Sequence, residues 1–242
     1  MSGATPRGAA TEQEAAAWVR NMFGRVAPRY DLLNHLLSFN IDRHWRTRTV
    51  KRLQPVLERK DARVLDLCCG TGDLMLALRA KARARVFGSD FCHPMLIAAM
   101  EKAGAGSPLF EADALKLPIA NKSLDAITVA FGFRNLVNYE AGLIELKRVL
   151  RPGGMAAILE FSQPPNRAFN AFYSFYSRHI LLRIGGLISG ASDAYTYLPD
   201  SVRKFPDAER LADNMRAAGY TDVAFERMTF GIVALHMGKA AD

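Results

Sequence analysis

Val64-Leu65-Asp66-Leu67-Cys68-Cys69-Gly70-Thr71-Gly72-Asp73 is an apolar run that meets an acid, turns through two glycines and enters Leu74-Met75-Leu76-Ala77-Leu78. Read outward, it predicts a strand, a tight turn and a helix. Glycines in such a turn let the backbone approach a ligand closely at the carboxyl edge of a parallel sheet. No Gly-Lys-Ser/Thr follows, which excludes a P-loop. Met75 stands where the third glycine of G-x-G-x-x-G belongs, which excludes the dinucleotide fingerprint. What remains is D-x-x-x-G-x-G, with Asp66, Gly70 and Gly72 as its fixed points.

From Arg63 onward, strand-like and helix-like patterns alternate regularly. Strands are predicted at 63–68, 84–90, 107–111, 124–130, 154–161, 221–229 and 231–238, and helices at 73–82, 94–103, 138–151 and 206–218. This is an α/β pattern: a doubly wound, seven-stranded, mostly parallel sheet. Only Phe230-Gly231 separates the last two strands, so they must pair as a hairpin and one must run against the rest. The domain proper is expected over residues 61–242, behind a disordered start (1–10) and a helical cap completing residues 1–60. In the cap, Thr11 and Glu14 have capping-box spacing, and Trp18, Val19, Met22, Phe23 and Val26 form one stripe.

One long interruption, residues 163–205, follows the fifth strand. So long a segment is expected to carry helix rather than bare loop. Phe169, Phe172, Tyr173, Tyr176, Ile180, Ile184 and Leu187 recur there at helical spacing among Arg167, Arg178 and Arg183. The segment reads either as a helix packed on the sheet or as a basic, aromatic lid or membrane face.

The net charge of +8 is unevenly placed. Residues 1–60 carry 11 basic and 5 acidic side chains and residues 163–205 carry 5 and 2, whereas the remainder carries 16 and 17. The appendages are basic and the core is not. Nucleic-acid phosphates, an anionic membrane leaflet or a plain solvated face would each fit. Cys68, Cys69 and Cys92 fall at strand ends with no second pair to complete a zinc set, so they are expected to be packing residues in a reducing cytosol, and no metal is expected. No secretory leader and no run of about 18 apolar residues is legible, which predicts a cytoplasmic or peripheral protein.

D-x-x-x-G-x-G is a pattern of S-adenosylmethionine (SAM) dependent methyltransferases, and SAM is the cofactor expected here. Its adenosine, charged tail and sulfonium make separate demands. Asp90 ends the second strand and can accept from both ribose hydroxyls. Asp113 follows the third strand and is placed to meet the adenine amino group, with Ala114 supplying backbone. Asp66, Gly70, Thr71 and Gly72 face the amino-acid tail, and Ala130 closes the crevice at the fourth strand end.

Tyr30-Asp31-Leu32-Leu33-Asn34 through Trp45-Arg46, Asp66 through Asp73, Phe131-Gly132-Phe133-Arg134-Asn135, Arg148-Val149-Leu150-Arg151-Pro152-Gly153-Gly154 and Leu159-Glu160-Phe161-Ser162 resemble the quinone C-methyltransferases. So do Tyr197-Leu198-Pro199-Asp200-Ser201-Val202 and Gly231 through His236. These are class I, Rossmann-like enzymes that methylate demethylmenaquinol and 2-polyprenyl-6-methoxy-1,4-benzoquinol. The resemblance implies cofactor contacts at Thr71, Asp90, Asp113 and Ala114, and a polyprenylated hydroquinone as partner. It leans toward demethylmenaquinol through Cys68-Cys69. Cys68 stands where many methyltransferases have glycine.

C-methylation of a hydroquinone needs in-line alignment of ring carbon and methyl, and stabilisation of a developing phenolate. Arg134 is the expected electrostatic stabiliser, Asn135 a hydrogen-bond partner for a ring oxygen, and Tyr30 an orienting hydroxyl brought over by the cap. His35, His44 and His179 are further candidate bases. A nucleic-acid methyltransferase would want Asn/Asp-Pro-Pro-Tyr after the fourth strand, and Ala130-Phe131-Gly132-Phe133 offers no such clamp, so no nucleic acid is expected. A small-molecule O-methyltransferase and a non-catalytic SAM binder are the other readings. Contact with an anionic membrane is expected through 15–45 and 165–190, and a homodimer is compatible with the sequence.

Overall fold

Apolar residues on both faces of β1 (Arg63–Leu67) and β4 (Leu124–Ala130) drive these strands to the middle of a covered sheet. The computed structural model describes residues 3–6, 8–166, 168–170 and 192–242. Around the central pair lie β2 (Arg85–Asp90), β3 (Leu109–Glu111), β5 (Leu150–Phe161), β6 (Tyr220–Met228) and β7 (Val233–Ala240). Their order is β3-β2-β1-β4-β5-β7-β6. All pairs are parallel except β5 with β7 and β6 with β7. The seven-stranded, mostly parallel sheet with one reversed strand is the architecture the sequence predicts.

Successive side chains of β1 alternate between two cores. Leu65 and Leu67 pack with Leu143 and Leu146 of α6 (Tyr139–Val149) and with Leu211 and Met215 of α8 (Ala208–Ala217). On the opposite face, Val64 packs with Leu53 and Leu57 of α3 (Ile41–Leu57) and with Leu74 and Leu78 of α4 (Asp73–Arg79). Glu226 of β6 accepts from both Arg48 and Arg52, which fastens α3 across the sheet edge.

The cap is α1 (Glu12–Val26), α2 (Tyr30–Leu37) and α3, with the Trp45 end of α3 at the carboxyl edge and its later turns on the sheet face. Both halves of the Thr11/Glu14 capping box are present. Trp45 reaches the strand ends, 5.8 Å from the Phe131 ring, and its indole N–H donates to Thr229 at 2.9 Å. α5 (His93–Ala103) follows β2, and α7 (Ser192–Lys204) ends the insertion.

Several boundaries differ from the prediction for identifiable reasons. β5 begins at Leu150 rather than 154, because Leu124 pairs with Leu150 and Ala126 with Met155, and Arg151–Gly154 bulge between them with Gly153 at φ +74°. The β6–β7 connection is longer than two residues, and Thr229 and Phe230 both take left-handed conformations in it. The opening residues have partners: the Ala4 N–H donates to the Leu136 carbonyl at 2.7 Å, and Lys204 donates to the Thr5 carbonyl. Of the predicted insertion helix, Phe169 packs on Phe230 at 5.2 Å, while Arg167 and residues 171–191, including Phe172, Tyr173, Tyr176, Arg178, His179, Ile180, Arg183, Ile184 and Leu187, lie outside the described residues.

Candidate active site

The sheet order reverses direction between β1 and β4, which is where open α/β sheets bind ligands. Both strands leave the sheet through a residue in the left-handed region, Cys68 at φ +54° and Phe131 at φ +58°. Such a conformation costs a non-glycine residue about 1–3 kcal/mol. The two exits lie so close that a Cβ on Gly132 would stand 2.4 Å from the Cys68 Cβ. All three thiols are free, and burial pushes each above its ordinary pKa, which keeps them protonated.

Asp66 is buried beneath the glycine turn. Its Oδ1 accepts from the Thr128 hydroxyl at 2.6 Å, while Oδ2 makes no hydrogen bond among the described residues. Burial pushes its pKa up to about 7. A carboxyl in that state fits a cationic group, such as the ammonium of the SAM tail, which would return it to the charged form. Asp90 bridges β1 and β2: Gly70 N–H donates to Oδ2 and Cys92 N–H to Oδ1, both at 2.9 Å. Each oxygen keeps a lone pair for a ribose hydroxyl.

A cavity enclosing about 820 Å³, part of it open to solvent, lies at these strand ends. Of the predicted residues, Tyr30, Gly70, Asp90, Asp113, Ala114, Ala130 and Asn135 line it. Asp66, Thr71, Gly72 and Arg134 are not on this wall. Gly72 instead packs its turn on α5, with Ala99 Cβ 3.4 Å from where its own Cβ would be. The Thr71 hydroxyl is engaged by the cap: it donates to Asp31 and lies 3.5 Å from the Lys102 ammonium. Lys102 also pairs with Asp31 and Asp73, each at 2.6 Å.

On the β4 side, Arg134 is buried. Its Nη1 donates to the Phe131 carbonyl at 2.5 Å and to Glu160 at 2.9 Å, and the other Glu160 oxygen accepts from the Arg134 backbone N–H. The guanidinium lies 5.3 Å from the Phe161 ring, and its Nε has no partner among the described residues. Asn135 approaches the same Phe131 carbonyl with Nδ2 and accepts from the Tyr197 hydroxyl at 3.1 Å. Tyr30 stands over Gly70, 3.7 Å from where a Cβ would be, and burial raises its phenol pKa so that the hydroxyl stays protonated.

Asp31, Glu160 and Tyr197 fall in segments that carry the resemblance but have no site role assigned from sequence, and Lys102 is in none of those segments. A carboxylate inside an otherwise apolar strand was the available signal for Glu160. The others carry no local signal, since their partners are distant in the chain. Of the candidate bases, His44 is exposed and His35 is held by Asp42 at 2.9 Å. His35, Asp42 and Asp73 approach one another closely enough to suggest metal ligands, but Arg46 already bonds Asp42 and lies 3.5 Å from Asp73. This is an ion-pair network tying α2 and α3 to α4.

Comparison with known proteins bears on the same geometry. The chain is 50% identical over 221 residues to a demethylmenaquinone methyltransferase of Thermus thermophilus, spanning 90% of this chain and 99% of that one. It is 45% identical to a demethylmenaquinone methyltransferase of Deinococcus radiodurans, spanning 94% of each. Among solved structures, a SAM-dependent methyltransferase of Thermotoga maritima shares the fold at a TM-score of 0.64 and 16% identity, over 91% of this chain and 98% of that one. A phosphoethanolamine N-methyltransferase of Haemonchus contortus in complex with SAM does so at 0.58 and 14% identity, over 78% and 51%. The model of the ubiE/COQ5 methyltransferase family matches residues 9–240, so this SAM-dependent methyltransferase belongs to that family.

Proposed function

We propose that the enzyme methylates a ring carbon of demethylmenaquinol, with 2-polyprenyl-6-methoxy-1,4-benzoquinol as the alternative acceptor. SAM supplies an electrophilic methyl: a carbon–carbon bond forms as the sulfur–methyl bond breaks, leaving a neutral thioether, and the displaced ring proton passes to solvent. Asp90, Asp113 and Ala114 would hold the adenosine, and Asp66 beneath Gly70 would balance the charged tail. Thr71 and Gly72 shape the turn. Asn135 and Tyr30 reach the cavity as hydrogen-bonding groups for the acceptor's ring oxygens.

Arg134 acts from behind that wall. Its charge is held by Glu160, so it is a fixed dipole facing the phenolate that develops, and not a base. Dismantling such a buried pair costs about 3–5 kcal/mol, which makes Arg134 a poor first target for mutation. The observation that carries the reading is the convergence of Asn135 and Tyr30 on a cavity that Asp90 and Asp113 also line. The relatives named for demethylmenaquinone favour the naphthoquinol.

Peripheral contact with an anionic membrane belongs to the same reading, because a polyprenylated acceptor resides there. The excess charge of the cap supports it, as do exposed Leu32, Leu36, Phe39 and Ile41 at its turn. Among the described residues, no helix is long and apolar enough to cross a membrane.

The test is transfer of a labelled methyl from SAM to short-chain demethylnaphthoquinol and, in parallel, to the benzoquinol, with the methyl located by mass spectrometry. Asn135→Ala is expected to lower kcat about 100-fold with SAM affinity unchanged. A methyl on oxygen, or full turnover by Asn135→Ala, would overturn the reading.

A further inference from the structure

The Tyr197–Asn135 hydrogen bond joins α7, the last helix of the insertion, to the strand exit that faces the cavity. An amide side chain can be turned end for end, and its orientation decides whether it donates or accepts. Two neighbours decide it here. The Phe131 carbonyl accepts only and lies 3.5 Å from Nδ2; the Tyr197 oxygen lies 3.1 Å from Oδ1. Both are satisfied when nitrogen faces Phe131 and the phenol donates to the amide oxygen. Burial pushes the Tyr197 phenol up to about 12, so the proton it donates is retained across the working range. With its oxygen engaged, Asn135 is left with N–H to offer, and a donor is what an oxygen gaining negative charge requires.

We propose that Tyr197 is a positioning residue for methyl transfer: it fixes the Asn135 amide so that an N–H, and not the carbonyl, faces the acceptor's ring oxygen. This rests on the role of Asn135 given above. The hydroxyl is itself set by the cap, because the Tyr197 ring lies 5.1 Å from Trp18 and clusters with Val19 and Met22 of α1. Productive geometry at Asn135 therefore depends on α1 and α7 being packed together.

Tyr197→Phe keeps the ring on Trp18 and removes only the hydroxyl. The expected result is a kcat about 10-fold lower, with KM for the quinol and the dissociation constant of SAM, read by calorimetry, both unchanged. A merely structural role would move melting temperature and both affinities together. Because both residues act through one amide, Asn135→Ala/Tyr197→Phe should turn over no more slowly than Asn135→Ala alone. Wild-type kcat in Tyr197→Phe, or losses that multiply in the double variant, would overturn the proposal. If Asn135→Ala loses activity and Tyr197→Phe does not, only this proposal falls; if Asn135→Ala is fully active, the reading of the site falls with it.

Discussion

Cys68 and Gly132 answer to each other. A cysteine in the left-handed region points its side chain at the neighbouring exit, and only a residue without Cβ leaves room for it. Gly132→Ala should therefore lower stability by about 1–3 kcal/mol. Adding Cys68→Gly, which removes both the obstruction and the strained conformation, should recover most of that loss. Denaturant midpoints of the two single variants and the double would decide it, and simple additivity would refute the pairing. The same residues show what a sequence displays at this scale. Gly70 and Gly72 were legible because the turn's demand is local, at φ +54° and +87°. The demand on Gly132 comes from a strand 64 positions earlier. Asp90 was legible as an acid closing a strand; Tyr197 was not, because its partner is set by how α7 packs.

At the level of elements, β7 carries a titrating lock. The His236 Nε2–H donates to the Ala208 carbonyl at 2.8 Å, tying the strand to the start of α8, and among the described residues Nδ1 is buried with no hydrogen bond within normal geometry. Burial lowers the imidazole pKa from 6.5 to about 4. Above pH 6.5 the ring is neutral in both folded and unfolded chains. As pH falls from 6.5 toward 4 the unfolded chain takes up a proton that the folded chain refuses, so stability drops by up to roughly 3 kcal/mol. Asp66 titrates in the opposite sense: its pKa is raised on folding, so its contribution is greatest below pH 3.8 and is lost as pH rises toward 7. The difference between variants isolates His236. His236→Gln, which still donates to Ala208 but does not titrate, should show a flatter decline between pH 7 and 4.5 in denaturation experiments; parallel curves would count against the lock. Element order and the reversed strand were readable from periodicity and the short final connection. The start of β5 was not, because its bulge is imposed by pairing with β4.

Across the whole molecule, segregation of charge was countable in the chain, whereas the grouping of apolar side chains at one end emerges only from the fold. Leu32, Leu36, Phe39 and Ile41 of the cap and Phe230 of the β6–β7 turn are all exposed, and Trp45 with Thr229 joins these two regions at the carboxyl edge. On the membrane reading proposed above, the wild-type enzyme should float with anionic liposomes at low salt and lose most of that binding as Leu36→Glu/Phe39→Glu, with turnover of a water-soluble quinol analogue retained. Equal flotation of both proteins would refute this docking face.

The grip of Asp31 on Thr71 and Lys102 has a thermodynamic corollary. Helix and turn share these three side chains, so a molecule that favours the gripped arrangement from one side strengthens attachment on the other by a factor that must be repaid equally in reverse. If cofactor and acceptor both favour that arrangement, each tightens the hold on the other by the same factor.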